Sequence, residues 1–415
     1  MNLTPLEQQS GFHGLGIAPK LVTILEQLRF TTPTPIQRQA IPAAITGKDL
    51  VGIAQTGTGK TLAFGIPLIQ RLSQSRGQAL ILVPTRELAL QVDDALQTIG
   101  HSLGLKTAVV IGGAPIQKQI QNLRRNPHVI IATPGRLVDH LEQKTVTLQN
   151  VKIVVLDEAD RMLDIGFAPQ IKRVLQVVPK ERQTMLFSAT MPSEIAKLAA
   201  EHMSLPLRIE VAPSGTTVQA VEQEIFIVSK EAKIQLLDKL LSDYQGTILV
   251  FSRTKHGATK ITRAIRDMGH HAAEIHSNRS LNQRREALDG FKSGKYRILV
   301  ATDIAARGID VVGIELVVNY DLPDNSGDYV HRIGRTGRAG RTGRAVSFAT
   351  PDQRMDIKSI ERLIRKALPI TTLPTLPPRR ASQSQKFHPA VGYQKYSSHR
   401  PLQRRQQQSY PRHRR

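Results

Sequence analysis

The chain has 415 residues, 40% of them apolar and 4% aromatic, with no tryptophan and no cysteine. That length has room for two or three packed units with mainly aliphatic cores, and the absence of thiols excludes disulfides and thiolate metal sites. A net charge of +23 points to a polyanionic partner, either nucleic acid or an anionic membrane surface, because each phosphate met by Lys or Arg releases condensed counterions.

The opening segment, MNLTPLEQQSGF, has neither a basic n-region nor an apolar stretch behind it. No run approaches the roughly 18 apolar residues of a membrane span. A cytoplasmic protein is expected. Apolar runs then recur along the chain: Asp49–Ile53, Ala79–Val83, Thr107–Ile111, Val129–Ala132, Val151–Leu156 and Thr184–Phe187. They are continuous rather than alternating, the pattern of parallel strands covered by helices on both faces. A second set comprises Thr247–Phe251, Arg297–Ala301, Leu316–Asn319 and Ala345–Phe348. The fold class is α/β, with two lobes.

Leu205-Pro206 and the polar stretch Ala212–Gly215 read as a boundary and linker. The expected division is a first lobe over 1–211, a linker over 212–220, a second lobe over 221–370 and a tail over 371–415. From Arg379 to Arg415 there are ten Lys or Arg and no Asp or Glu, a composition that cannot bury enough apolar surface to fold alone. This tail is expected to be disordered. Subtracting its charges from +23 leaves +13 on the first 378 residues, so the folded part is basic too.

The motifs come in chain order. Ala54-Gln55-Thr56-Gly57-Thr58-Gly59-Lys60-Thr61 follows an apolar strand and opens an amphipathic segment, the setting a P-loop needs. Its glycines let backbone N–H groups converge on phosphates, and a helix N-terminus adds positive potential. Lys60 is expected to reach the β- and γ-phosphates and the Thr61 hydroxyl to ligate Mg²⁺; a glycine-rich turn without a ligand is the alternative. Farther on, Val151–Leu156 ends in Asp157-Glu158-Ala159-Asp160. Two carboxylates at the C-terminal end of a parallel strand sit where α/β sheets bind ligands. Asp157 is expected to hold Mg²⁺, and Glu158 to orient and deprotonate the attacking water. Acidic residues that merely cap a helix are the alternative.

With these residues in hand, the chain resembles the DEAD-box RNA helicases of superfamily 2, and its compact core and short basic extension look most like bacterial members. The match spans roughly residues 12 to 345. Pro84-Thr85-Arg86-Glu87-Leu88-Ala89, Gly112-Gly113 and Thr133-Pro134-Gly135-Arg136 are similar to the family's first-lobe RNA loops. Ser188-Ala189-Thr190 is similar to its coupling segment. Ala301-Thr302-Asp303, Arg307-Gly308-Ile309-Asp310 and His331-Arg332-Ile333-Gly334-Arg335-Thr336-Gly337-Arg338 complete the order in the second lobe.

The resemblance implies two tandem RecA-like lobes, with the family's glutamine motif at about 10–38. ATP is then the substrate and Mg²⁺ its partner ion. Gln37 is similar to the adenine reader, since a side-chain amide pairs bidentately with adenine N6 and N7. Phe12 is similar to the aromatic that stacks on the base, with a core anchor as its other reading. Asp310 resembles a ribose contact. Arg335 and Arg338 resemble arginine fingers, worth about 10³–10⁵ in rate. Asp160, Ser188, Thr190 and His331 are expected to couple hydrolysis to strand separation. Arg86, Gly113, Thr133, Gly135, Arg136, Arg284 and Thr302 are expected to grip RNA.

The chain departs from the family at Arg29, where Gly is usual, and at Leu281, where Gln is common. With catalytic groups on both lobes, hydrolysis is expected to need closure, favoured jointly by ATP and RNA. Single-stranded or short-duplex RNA, read with little sequence specificity, is the expected partner of a monomer. Ribosome-assembly or RNA-decay proteins are expected company by family analogy alone. Phe387, Tyr393, Tyr396 and Tyr410 in the tail offer base stacking; a solubilising tail is the alternative. A DNA translocase and a non-catalytic annealing protein are the rival functions.

Overall fold

A computed structural model of the chain describes residues 11–55, 57–211, 221–306, 311, 313–337 and 342–378. Two seven-stranded sheets, each wholly parallel, form the frame. The first takes the order β3-β4-β2-β5-β6-β1-β7, from β1 (Leu50–Ile53), β2 (Gln78–Leu82), β3 (Thr107–Val110), β4 (Val129–Ala132), β5 (Val151–Leu156), β6 (Gln183–Ser188) and β7 (Leu207–Glu210). The second takes the order β10-β11-β9-β12-β13-β8-β14, from β8 (Val221–Ile227), β9 (Ile248–Phe251), β10 (Ala272–Ile275), β11 (Ile298–Ala301), β12 (Leu316–Asn319), β13 (Gly343–Ala349) and β14 (Ile370–Thr371). The two sheets, with helices on both faces, are the tandem RecA-like lobes implied by the resemblance, and they belong to one compact unit ending at Pro377.

The central strands are buried along their whole length, as β1, β4, β6, β9, β11 and β12 show, because helices cover each sheet above and below. Each lobe therefore has two apolar clusters, one per sheet face. Four strands lack the continuous apolar signature. β7 buries only Ile209 along its edge, and β8 alternates buried residues with Glu222 and the half-buried Glu224. β10 carries Glu274 among alanines, and β14 is two residues long. β14 pairs with β8 across residue 370. Beyond it, Gln235 Nε2 donates to Pro377 O at 2.7 Å.

What matters for function is the order β5-β6-β1. The segments that follow these three neighbouring strands are Asp157–Asp160, Ser188–Thr190 and the P-loop. Parallel pairing places all three at one edge of the sheet, its C-terminal edge. No helix among the described residues is long and apolar enough to cross a membrane.

Candidate active site

The P-loop turns from β1 into the helix Lys60–Gln74 through Gly57 and Gly59, at φ 86° and 89°. A side chain at Gly59 would also stand 2.3 Å from Gln37 Nε2, so glycine is required there twice over. Gln37 explains the closeness. Its Oε1 accepts from Thr34 N at 2.9 Å and its Nε2 donates to Gly59 O at 3.0 Å. The amide thus ties the helix Pro35–Ile45 to the P-loop and keeps one lone pair and one hydrogen for a ligand. Phe12 is enclosed in the first-lobe core, the packing half of its two readings. Lys60 is buried and donates from Nζ to Ala54 O at 2.8 Å; Thr58 Oγ1 donates to Gln55 O at 2.7 Å. Thr61 is half-buried at the same helix start.

Across the sheet edge, Asp157 and Glu158 are both buried yet oppositely perturbed. Burial pushes Asp157 up to about 6, against the pull of Lys60. Burial also raises Glu158, but Arg161, Lys60, Arg335 and His331 together overcome it and hold the carboxyl at about 2. Glu158 is therefore ionised throughout the physiological range. Its backbone lies in the left-handed region at φ 51°, ψ 51°, a conformation costing a non-glycine residue about 1 kcal/mol or more. Asp157 Oδ1 accepts from Glu158 N at 3.0 Å, which helps hold that turn.

Magnesium chemistry fits this pocket. The donors are hard oxygens, the Asp157 carboxylate and the Thr61 hydroxyl. The raised Asp157 shows a buried carboxylate whose neighbouring positive charge is not enough to offset its desolvation.

Asp160 does different work. Its Oδ2 accepts from Ala189 N (3.1 Å), Thr190 N (2.9 Å) and Thr190 Oγ1 (2.8 Å), while Ser188 Oγ accepts from Asp160 N at 3.2 Å. The segments after β5 and β6 are thereby locked together. From the second lobe come His331 and the buried Arg335, whose Nε donates to His331 O at 3.1 Å. A cavity lies between the lobes, walled by Gln55, Ala189 and Thr190 on one side and Gly327, His331 and Arg335 on the other.

A second cluster gathers the expected RNA residues of the first lobe. The Arg86 guanidinium lies against Gly113, where an added Cβ would stand 2.1 Å from Nη1. Arg136 Nη1 donates to Ala114 O at 3.2 Å. Thr133 is buried at the N-cap position of the helix Pro134–Glu142, where its side chain makes no capping hydrogen bond, and nothing lies within 4 Å of where a Gly135 side chain would begin. Arg284 is turned to a protein partner: its Nη2 donates to Glu87 Oε2 at 2.6 Å, a buried ion pair between lobes. Thr302 is half-buried after β11, its N donating to Ile275 O at 3.3 Å. Thr56, Asp310 and Arg338 lie outside the described residues, as do Phe387, Tyr393, Tyr396 and Tyr410.

The DEAD/DEAH box helicase family model matches residues 34–198, and the model of the helicase conserved C-terminal domain matches 232–340. The two matches divide as the sheets do. The chain belongs to the DEAD-box family. It is an ATP-dependent RNA helicase. It is 44% identical to the ATP-dependent rRNA helicase RRP3 of Candida albicans over 86% of this chain and 68% of that protein. It is 42% identical to the DEAD-box ATP-dependent RNA helicase CshA of Bacillus cereus over 88% of this chain and 70% of that one. Among solved structures, S. cerevisiae Dbp5 bound to RNA and ADP BeF3 matches with a TM-score of 0.79 and 31% identity, covering 88% of this chain and 96% of that chain. That match takes in both lobes of the helicase at once.

Reading motifs in isolation missed the partners of the helicase's site residues. Arg161 stands three residues after Glu158 on one helical turn, and the pair is 3.2 Å apart; that i,i+3 spacing was a usable signal. Glu87 and Asp303 each stand inside a motif, and nothing local in sequence marks the partner of either. Asp303 forms a bidentate pair with the buried Arg332, and its carbonyl accepts from Arg161 Nη2 at 3.5 Å.

Proposed function

We propose that RNA-stimulated ATP hydrolysis in this helicase drives closure of the two lobes and local, non-processive opening of RNA duplexes. The observation that carries this reading is the environment of Glu158, a first-lobe carboxylate held ionised in part by Arg335 and His331 of the second. Groups that act on one phosphate are divided between lobes, so turnover requires that the lobes meet. Ligands bridging both lobes favour the same closed state and therefore favour each other.

In this reading Lys60 exchanges Ala54 O for the β- and γ-phosphates, and Gln37 reads adenine with its spare lone pair and hydrogen. Thr61 and Asp157 hold Mg²⁺, which supplies charge neutralisation at the phosphates when bound. Glu158 orients and deprotonates water. Arg335, with Arg338, neutralises charge developing on the transferred phosphoryl group. Asp160, Ser188, Thr190 and His331 pass the state of the nucleotide to the RNA side.

On that side Arg86, Gly113, Thr133, Gly135, Arg136 and Thr302 grip sugar and phosphate, which gives little base specificity and leaves the 2′-hydroxyl to separate RNA from DNA. Arg284 acts through Glu87. Bending one strand to unstack three or four steps costs about 4–6 kcal/mol at about 1.4 per step, within reach of several charge-assisted contacts. Short duplexes then separate spontaneously and long ones do not. A monomer in the cytoplasm, organised as lobes 1–211 and 221–370 around a linker, suffices for this cycle. Ribosomal RNA is the first substrate to try, on the strength of the name of RRP3.

The test is ATP turnover with RNA, with DNA and with neither, alongside strand separation of short and long duplexes. RNA is expected to accelerate turnover well above DNA, with separation confined to short duplexes. Equal turnover in all three conditions, or unchanged turnover after Arg335→Ala, rejects the reading.

A further inference from the structure

Behind the Gly112–Gly113 loop lies a buried polar chain that no motif includes. Gln119, 4% exposed, stands in the helix Ile116–Arg124. Its Nε2 donates to Ile111 O at 2.9 Å and to Ala114 O at 3.3 Å, the carbonyls on either side of the two glycines. Its Oε1 faces His140 Nε2 at 3.2 Å, and His140 Nδ1 faces Thr145 Oγ1 at 2.7 Å. His140 is wholly buried in the helix that begins at Pro134.

The hydrogen-bond roles follow by elimination. The Gln119 amide nitrogen serves two carbonyls, so its oxygen must accept. His140 Nε2 therefore carries the hydrogen, and in the neutral ring Nδ1 is left to accept from the Thr145 hydroxyl at 2.7 Å, in competition with His140 O at 3.1 Å from the same hydroxyl. Ala114 O closes the circuit, because it also accepts from Arg136 Nη1. One amide thus fixes both ends of a loop whose Gly113, at φ 74°, seats the Arg86 guanidinium. Its partner His140 belongs to the helix that carries Gly135 and Arg136.

We infer that Gln119, backed by His140, is a positioning residue for RNA: it sets the shape of the Gly112–Gly113 loop and its registry with the helix Pro134–Glu142. The inference rests on the reading of these two segments as the RNA grip. Burial gives it force. A solvated amide would exchange with water at small cost, whereas a buried one leaves the carbonyls it served without that donor. A glycine pair without it has the widest conformational range of any dipeptide.

The full chain is compared with Gln119→Met, His140→Leu, His140→Gln and, as a control for the RNA face itself, Arg136→Ala. The readouts are RNA concentration at half-maximal ATP turnover, kcat at saturating RNA, KM for ATP and thermal stability. Gln119→Met should raise the half-saturating RNA concentration about tenfold, the equivalent of one lost hydrogen bond, with kcat and KM for ATP within about twofold. His140→Leu should do the same, and the double variant Gln119→Met/His140→Leu should add little to either. His140→Gln, whose amide can still donate to Gln119, should recover most of the affinity. If Arg136→Ala weakens RNA while Gln119→Met does not, this inference is wrong and the RNA-face reading survives. If neither affects RNA, that reading fails as well. A parallel fall in kcat, ATP affinity and melting temperature, unrescued by His140→Gln, marks Gln119 as ordinary core and also overturns the inference.

Discussion

Arg284 donates to Glu87 at 2.6 Å across 197 residues of chain, and both side chains are buried where the lobes meet. Removing one partner of such a pair leaves a lone buried charge, typically costing about 3–5 kcal/mol. Here that charge can escape into water if the lobes separate. The penalty should therefore fall on closure rather than on the folding of either lobe. Arg284→Met and Glu87→Met are each expected to reduce the closed population in the presence of a non-hydrolysable ATP analogue and RNA. Combining them should restore much of it, because no unpaired charge remains. Energy transfer between dyes placed on the two lobes checks this. A double variant as open as the singles would refute it.

Gly113 and Gly135 should fail for opposite reasons. A methyl group at Gly113 collides with Arg86 and strains a backbone at φ 74°, so Gly113→Ala should lower both RNA affinity and stability. At Gly135 nothing stands within 4 Å and the residue lies in the first turn of a helix. Gly135→Ala should stabilise the fold by about 0.5–1 kcal/mol through helix propensity. If a phosphate approaches there, the same change should still weaken RNA binding severalfold. Melting curves and RNA titrations on the two variants separate the cases, and unchanged affinity in Gly135→Ala removes that residue from the RNA face.

These contrasts show what was legible without coordinates. The P-loop, Asp157–Asp160 and Ser188–Thr190 are each local in sequence, and each follows a continuously apolar strand, so their types and settings could be read directly. That β5, β6 and β1 are neighbours is a matter of topology, and no spacing reveals it. The pairing of Glu87 with Arg284 is likewise invisible, because nothing local to either residue points to the other. β8 was missed because Glu222 and Glu224 interrupt its apolar run, the mark of a strand near the sheet edge with a wetter face. Phe12 carried two readings that sequence could not separate, since core packing and base stacking ask for the same ring.

Asp160 should matter more for strand separation than for hydrolysis. Its Oδ2 receives three hydrogen bonds from Ala189 and Thr190, and none of its described contacts is to Lys60 or Glu158. Asp160→Asn puts an amide hydrogen where acceptors are needed, and Thr190→Val removes one charge-assisted bond, worth about 1.5–3 kcal/mol. Strand separation is expected to fall at least about tenfold in each, while RNA-stimulated ATP turnover falls less. Equal losses in the two assays would place Asp160 with the hydrolytic groups.

His140 gives the fold a dependence on pH. Burial, reinforced by Arg136 and opposed by Asp139, holds its imidazole below the ordinary value of 6.5. The unfolded chain therefore takes up a proton at a pH where the folded chain does not. Stability is present above about 6.5 and declines as pH falls through that value toward the folded pKa. His202 is lowered in the same direction, by burial and Arg182, so His140→Gln should remove only part of the slope. Denaturant titrations between pH 5 and 7.5, chosen to span roughly that window, should give a shallower acid decline for His140→Gln than for the parent chain. An identical slope would show that the network admits the charged ring.

Of the two departures from family pattern, Arg29 takes up the left-handed backbone at φ 62° that suits the usual glycine, and Leu281 bears on how the lobes meet. Leu281 is half-buried at the start of the helix Leu281–Lys292, in the second lobe, yet packs against the apolar cluster of the first. Arg284 lies one turn farther along the same helix, so the helix brings an apolar contact and an ion pair to the first lobe together. Hydrophobic contact across a seam costs nothing to break within either lobe, so its free energy acts on their association. Burying about half a leucine side chain is worth about 1 kcal/mol, or roughly fivefold in an equilibrium constant. Leu281→Gln should therefore shift the lobes toward the open state about fivefold and raise the RNA concentration needed for half-maximal turnover, with each lobe's melting unchanged. The measurement is the same inter-lobe energy transfer, taken with and without RNA. A variant that closes as readily as the parent would reduce Leu281 to a neutral substitution.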